Sequence, residues 1–146
     1  MSSASAAALA PTESYGPEAD LKLHLVKRRA LVVDDSPDVA DVLTIVLREA
    51  GYEVETAYSA PQALMAAFAR RFDVIISDIG MPGMDGYELA RRLRELPEYR
   101  ATPMVAVTGF ASYDDRDRSL SEGFTAHLSK PVDPETLTRA ITGFAH

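Results

Sequence analysis

The chain has no cysteine, which excludes disulfides, thiolate metal sites and cysteine nucleophiles together and fits a reducing compartment such as the cytoplasm. It also lacks any long hydrophobic run. Its apolar stretches are strand-length, short of the roughly 20 residues that a helical membrane span needs. Basic residues are in short supply, with 15 Lys and Arg against 22 Asp and Glu and a formal charge of −7. Neutralising nucleic-acid phosphates takes clustered bases, so a broad nucleic-acid footprint is not expected. No glycine-rich phosphate loop follows the first predicted strand, which argues against a nucleotide or flavin binder.

What is present suits one domain with a single substantial core: 146 residues, 47% of them hydrophobic. Residues 1–20 are rich in Ala, Ser, Pro and Glu, without sustained periodicity and without the charged start and apolar run of a secretory signal. Residues 1–29 are read as a flexible N-terminal tail or linker and 30–146 as the folded domain. Within the tail, Leu21, Leu23 and Leu25 alternate with polar residues. That pattern permits a short extra strand, and equally a linker that docks on the domain. Residues 1–29 hold three acids and four bases, so 19 acids and 11 bases remain in 30–146 and the acidity belongs to the domain.

From residue 30 the sequence alternates between two patterns. Short β-branched runs at 30–34, 53–58, 73–77, 103–107 and 125–129 are compact enough for buried parallel strands. Between and after them lie helical spacings. In 37–50 the apolar positions are Val39, Val42, Leu43, Val46 and Leu47; in 60–71 they are Ala63, Leu64, Ala67 and Phe68. In 86–96 they are Leu89, Ala90, Leu93 and Leu96; in 134–144, Leu137, Ala140, Ile141 and Phe144. A fourth helix within 111–122 is short and polar and is expected to be the least buried. A repeated βα order predicts an α/β fold, a parallel sheet with helices on both faces and right-handed crossovers.

Ligand sites in such sheets form beyond the carboxyl ends of the strands. The residues there are Asp34 and Asp35 after the first strand, Asp78 after the third, Thr108 after the fourth and Lys130 after the fifth. Carboxylates on neighbouring strands repel by roughly 4 kcal/mol at about 4 Å and an effective dielectric near 20, so such a cluster calls for a cation. All-oxygen donors suit Mg²⁺, with Mn²⁺ as an alternative. Asp78 is then a candidate nucleophile toward a phosphoryl group, with Lys130 and Thr108 placed to offset its charge. The Lys130–Pro131 bond could be cis and turn the lysine back over the strand ends. Each residue also has a plain alternative. Asp34, Asp35 and Asp78 could cap helices, Thr108 could be a buried hydroxyl, Lys130 a solvated charge and His127 a half-buried edge residue. Asp85, before Gly86, is read as a turn or cap residue outside the site.

The stretches LVVDD, SDIGMPGMDGYEL, VAVTGF and HLSKPVD follow in order and spacing through residues 30–145. Together they resemble the response-regulator receiver domain of two-component signalling, and their wording is most similar to receivers at the C-terminal end of hybrid sensor histidine kinases. The resemblance implies a flavodoxin-like five-stranded sheet in the order 2-1-3-4-5. It implies Asp78 as phosphoacceptor, Asp35 as direct Mg²⁺ ligand, Asp34 acting on the metal through water, and Gly80 contributing its backbone carbonyl. Thr108 and His127 match the switch positions, and Lys130 the lysine that pairs with the acceptor. The resemblance also implies that Gly80, two after Asp78, and Phe110, two after Thr108, tune phosphoryl lifetime, in either direction. Implied partners are a histidine kinase or histidine phosphotransfer protein, and a downstream protein reached through the face of the fourth helix, fifth strand and fifth helix. Neither nucleic acid nor membrane is an expected partner. An aspartyl phosphohydrolase is the competing class, but its DxD on the first strand is absent: here the tandem pair sits on strand one and the lone acceptor on strand three.

Overall fold

The computed structural model describes residues 27–109 and 113–143, apart from the side chains of 113–115. The expected tail up to residue 26, Phe110, Phe144, His24 and His146 lie outside the described residues. Among the described residues, five strands, β1 (Arg29–Val33), β2 (Glu53–Ala57), β3 (Val74–Asp78), β4 (Met104–Thr108) and β5 (Ala126–Ser129), alternate with five α-helices, and a short 3-10 helix, Pro97–Tyr99, precedes β4. The helices are α1 (Pro37–Glu49), α2 (Ala60–Ala69), α3 (Gly86–Arg94), α4 (Tyr113–Ser121) and α5 (Pro134–Thr142). Every strand pairing is parallel, in the order β2-β1-β3-β4-β5. This is the flavodoxin-like topology that the family resemblance implied.

Side-chain alternation along the central strands feeds two cores. Leu31, Val33, Ile75 and Ala106 point to the layer that holds α2 and α3. Ala30, Val32, Val74, Ile76, Val105 and Val107 point to the layer that holds α1 and α5. Burial on both faces explains why β3 and β4 read as unbroken apolar runs. The helix starts are locally encoded. Ser59, Asp85 and Asp133 each accept a hydrogen bond from the backbone N–H three residues on, which satisfies a donor the helix itself cannot. Asp85 is therefore the α3 cap that the sequence suggested.

Two helices sit rotated from expectation. In α2 the alanines Ala60, Ala63, Ala66 and Ala67 face the sheet, while Phe68, expected in the core, is 69% exposed and Leu64 is half-buried. Alanine lets the helix approach closely, so the small stripe wins over the larger side chains. In α1, Leu43, Val46 and Leu47 are buried, but Val42 lies half-open at 49%. Among its residues with described side chains, α4 buries only Ser119, in keeping with its polar sequence.

Candidate functional site

At the carboxyl end of the sheet, the chain leaves β1 at Val33 and turns sharply through Asp34 and Asp35. Asp34 is fully buried, and its Oδ1 accepts the Ser36 N–H at 2.8 Å, which orders the turn into α1. Asp78, the last residue of β3, is also buried, whereas Asp35 is exposed. One oxygen from each of the three carboxylates lies within 4.8 Å of the others. Lys130 approaches from the end of β5, held where its backbone N–H donates to the Thr108 carbonyl at 2.8 Å, and followed by a cis bond to Pro131. Its Nζ stands 3.2 Å from Asp34 Oδ2 and 3.3 Å from Asp78 Oδ1.

This arrangement carries surplus negative charge. Burial pushes the Asp78 carboxyl above its ordinary pKa, and the Asp34 carboxylate pushes it further; Lys130 and the Gly80 N–H, 3.4 Å from Oδ1, oppose the rise without cancelling it. Burial would lower Lys130, but the attraction of Asp78 and Asp34 prevails and its pKa is raised. The lysine contact to Asp34 Oδ2 is an ion pair without hydrogen-bond alignment, so that buried oxygen keeps unused acceptor capacity. Three carboxylates against one lysine, with an acceptor in reserve and only oxygen donors, fit a hard divalent cation.

Of the residues singled out by sequence, Asp34, Asp35, Asp78 and Lys130 are brought together. Thr108 ends β4 beside them and is buried, with β4 joined to β3 by the Ile79 N–H to Val107 carbonyl bond. Gly80 follows Asp78 with open space where a side chain would project. His127 lies half-buried on the edge strand β5, in register with Ala106. Gly86 was missed as a supporting residue. A Cβ there would lie 2.4 Å from the Asp78 carbonyl oxygen, so the bare glycine is what lets α3 start against the end of β3. The available signal was a glycine at the first turn of an otherwise good helix.

Fold and site together define a flavodoxin-like domain with an acidic, cation-ready pocket opposite a lysine. The chain belongs to the response regulator receiver domain family, whose model matches residues 30–142. It is 41% identical over 117 residues to an uncharacterised 14.6 kDa protein of Leptolyngbya boryana, covering 80% of this chain and 89% of that protein. It is 36% identical over 115 residues to the sensor histidine kinase RcsC of Escherichia coli, covering 79% of this chain but only 12% of that protein. Among solved structures, chemotaxis protein CheY4 of Vibrio cholerae superposes with a TM-score of 0.78 at 38% identity, covering 82% of this chain and 99% of that one. The receiver domain of sensor histidine kinase PA1611 of Pseudomonas aeruginosa gives 0.75 at 31% identity, covering 82% and 98%, and holds a magnesium ion in its active site cleft. The chain is thus a two-component signalling module, and no helix among the described residues is long and apolar enough to cross a membrane.

Proposed function

We propose that the domain, taken as residues 30–146, receives a phosphoryl group on Asp78 from a phosphohistidine of a histidine kinase or histidine phosphotransfer protein. The observation that carries this is the three-carboxylate cluster with Lys130 bridging Asp34 and Asp78. Asp34, Asp35, Asp78 and the Gly80 carbonyl are the groups that would hold Mg²⁺, or Mn²⁺ in its place. The magnesium in the Pseudomonas relative's cleft supports that choice. When bound, the cation supplies charge neutralisation for the transferring phosphoryl oxygens.

The chain's own residues do the rest. Asp78 must be ionised to attack: one carboxylate oxygen forms a bond to phosphorus as the donor's N–P bond breaks, leaving an acyl phosphate on Asp78 and the electron pair on the histidine nitrogen. Lys130, already poised at 3.3 Å, holds a positive charge against the acceptor and the incoming phosphoryl group. Thr108 supplies a hydroxyl at the neighbouring strand end and His127 a switchable ring on β5. Through them the modified state biases the α4–β5–α5 face toward a downstream protein. The open space at Gly80 leaves water free to reach the acyl phosphate.

The test is intact mass after incubation with Mg²⁺ and acetyl phosphate. One added phosphoryl group is expected on the native protein and none on Asp78→Ala. Labelling that survives in the variant would place the acceptor elsewhere. Lys130→Ala should retain metal binding while phosphoryl uptake or its readout falls.

A further inference from the structure

Helix α4 is seated differently from the rest of the fold. Among its described side chains only Ser119 is buried, and Leu120 is 48% exposed, so little apolar packing fixes where this helix lies. What grips it comes from α3. The Arg118 guanidinium stands 4.1 Å from the centre of the Tyr87 ring, a cation–π distance. Just past the end of α4, Arg91 pairs with Glu122, and Arg94 donates from Nε and Nη2 to the Gly123 carbonyl at 3.0 and 2.7 Å. Arg94 is itself anchored on its other side, where Nη1 donates to the Tyr99 carbonyl at 2.6 Å. Tyr87, Arg91 and Arg94 follow at spacings of four and three residues, so they share one flank of α3.

The first turn of the same helix meets Asp78. The Gly86 N–H donates to the Ile79 carbonyl at 2.9 Å. The Asp78 carbonyl oxygen, held by the Ser77 hydroxyl at 2.8 Å, lies so close to Gly86 that no Cβ fits between them. A short helix transmits displacement as a rigid element, so a shift of the peptide at Asp78 reaches the flank that grips α4. From the other side, β4 ends at Thr108 and α4 begins at Tyr113. A pull on Thr108 toward a phosphoryl group therefore works against the α3 flank.

We propose that Tyr87, Arg91 and Arg94 form a clasp that holds α4 in its unphosphorylated setting, and that α3 thereby joins Asp78 to α4 by a path separate from Thr108 and His127. The proposal rests on the reading of Asp78 as phosphoacceptor. Its consequence follows from linkage. An interaction made only in the unmodified arrangement opposes the modified one, and removing it favours phosphoryl binding by the same factor.

The test titrates the full chain in Mg²⁺ with beryllium fluoride, a phosphoryl mimic that coordinates a carboxylate reversibly, and reads affinity by calorimetry. Arg91 and Arg118 are exposed, so Arg91→Ala and Arg118→Ala spare the core. Each should bind the mimic about threefold more tightly than the native protein. Arg70→Ala, which breaks an ion pair between β2 and the end of α2, should not. Without the mimic, hydrogen exchange should be several-fold faster at the amides of 113–121 in both variants and unchanged at 74–78. Unchanged exchange at 113–121 would overturn the clasp. Faster exchange there with unchanged or weaker binding would mean that the flank only props α4, and would overturn its coupling to Asp78. If the native protein binds no mimic, or Asp78→Ala binds it equally, the phosphoacceptor reading fails and the coupling with it, while the exchange rates still decide the clasp.

Discussion

At the amino-terminal edge of the sheet two opposite-charge pairs are met locally: Arg29 lies 3.7 Å from Glu53, and Arg70 grips Glu55 through two contacts of 2.7 Å. At the carboxyl-terminal edge three carboxylates share one lysine, and two of the three are buried. Balanced, solvated pairs cost little and contribute little. Buried surplus charge costs stability, so the imbalance supports the proposal that a cation and a phosphoryl group bind at this edge. The contrast can be broken by single substitutions.

The largest effect is expected at Gly86. Adding one methyl group places carbon 2.4 Å from the Asp78 carbonyl oxygen and 2.9 Å from Ile79 Cα, both backbone atoms that cannot swing aside. Gly86→Ala should lower stability by about 1–3 kcal/mol or more, as overpacked sites do, and should slow phosphoryl uptake because the acceptor strand must shift. Urea unfolding and intact-mass kinetics check this together. Normal values in both would mean that α3 is not seated against Asp78 at the end of β3.

Lys130→Met comes next, since it leaves Asp34 and Asp78 without their cation. The loss should be on the order of 2 kcal/mol in EDTA, below that of a fully buried pair because the lysine is partly solvated, and much smaller with Mg²⁺ present. The raised lysine pKa fixes the sign with pH. Its stabilisation is complete below the unfolded value of about 10.4 and disappears as pH rises through the native value. A loss equal in EDTA and in Mg²⁺ would show that the lysine acts by packing.

Asp78→Asn tests the same imbalance from the other side. Burial and Asp34 raise the Asp78 pKa, so the metal-free native protein is favoured when this group is protonated. That contribution is present below about pH 3.9 and is lost as pH rises through the native value. At pH 7 in EDTA the variant should therefore melt above the native protein, with the gap closing as pH falls toward 4. Mg²⁺ should stabilise the native protein more than the variant. Identical melting curves across this pH range would remove the electrostatic strain assigned to the pocket.

Much of this was legible in the sequence because strand ends are marked by where a β-branched run meets a polar residue. All five strands begin and end within about one residue of expectation, and that alone carries Asp34, Asp78, Thr108 and Lys130 to one edge. Helix rotation was less legible. Three- and four-residue spacing identifies an apolar stripe, but in APQALMAAFA several stripes compete, and the buried one is made of alanines whose small size carries little hydrophobic signal. The same limit left Val42 on the open side of α1. Gly86 escaped because its role depends on the backbone of a strand eight residues earlier, and the double contact of Lys130 because it joins three separate stretches of chain.

The smallest effect is expected where the geometry looks strongest. Arg70 presents Nε and Nη2 to the two Glu55 oxygens, and that hydrogen-bonded, charged partner raises its pKa. Yet both side chains are substantially exposed, and water and salt screen such a pair on either side of unfolding. Arg70→Ala should shift the melting temperature only slightly, with the shift disappearing at about 0.5 M salt. Phosphoryl uptake should be unchanged, because the ion pair that joins Arg70 to Glu55 lies apart from the three carboxylates and the lysine of the Asp78 pocket. A larger loss that survives high salt would mean that the arginine is holding the end of α2 in place by packing. A change in phosphorylation would join the two edges into one electrostatic system, and local charge balance would then no longer separate scaffold from site.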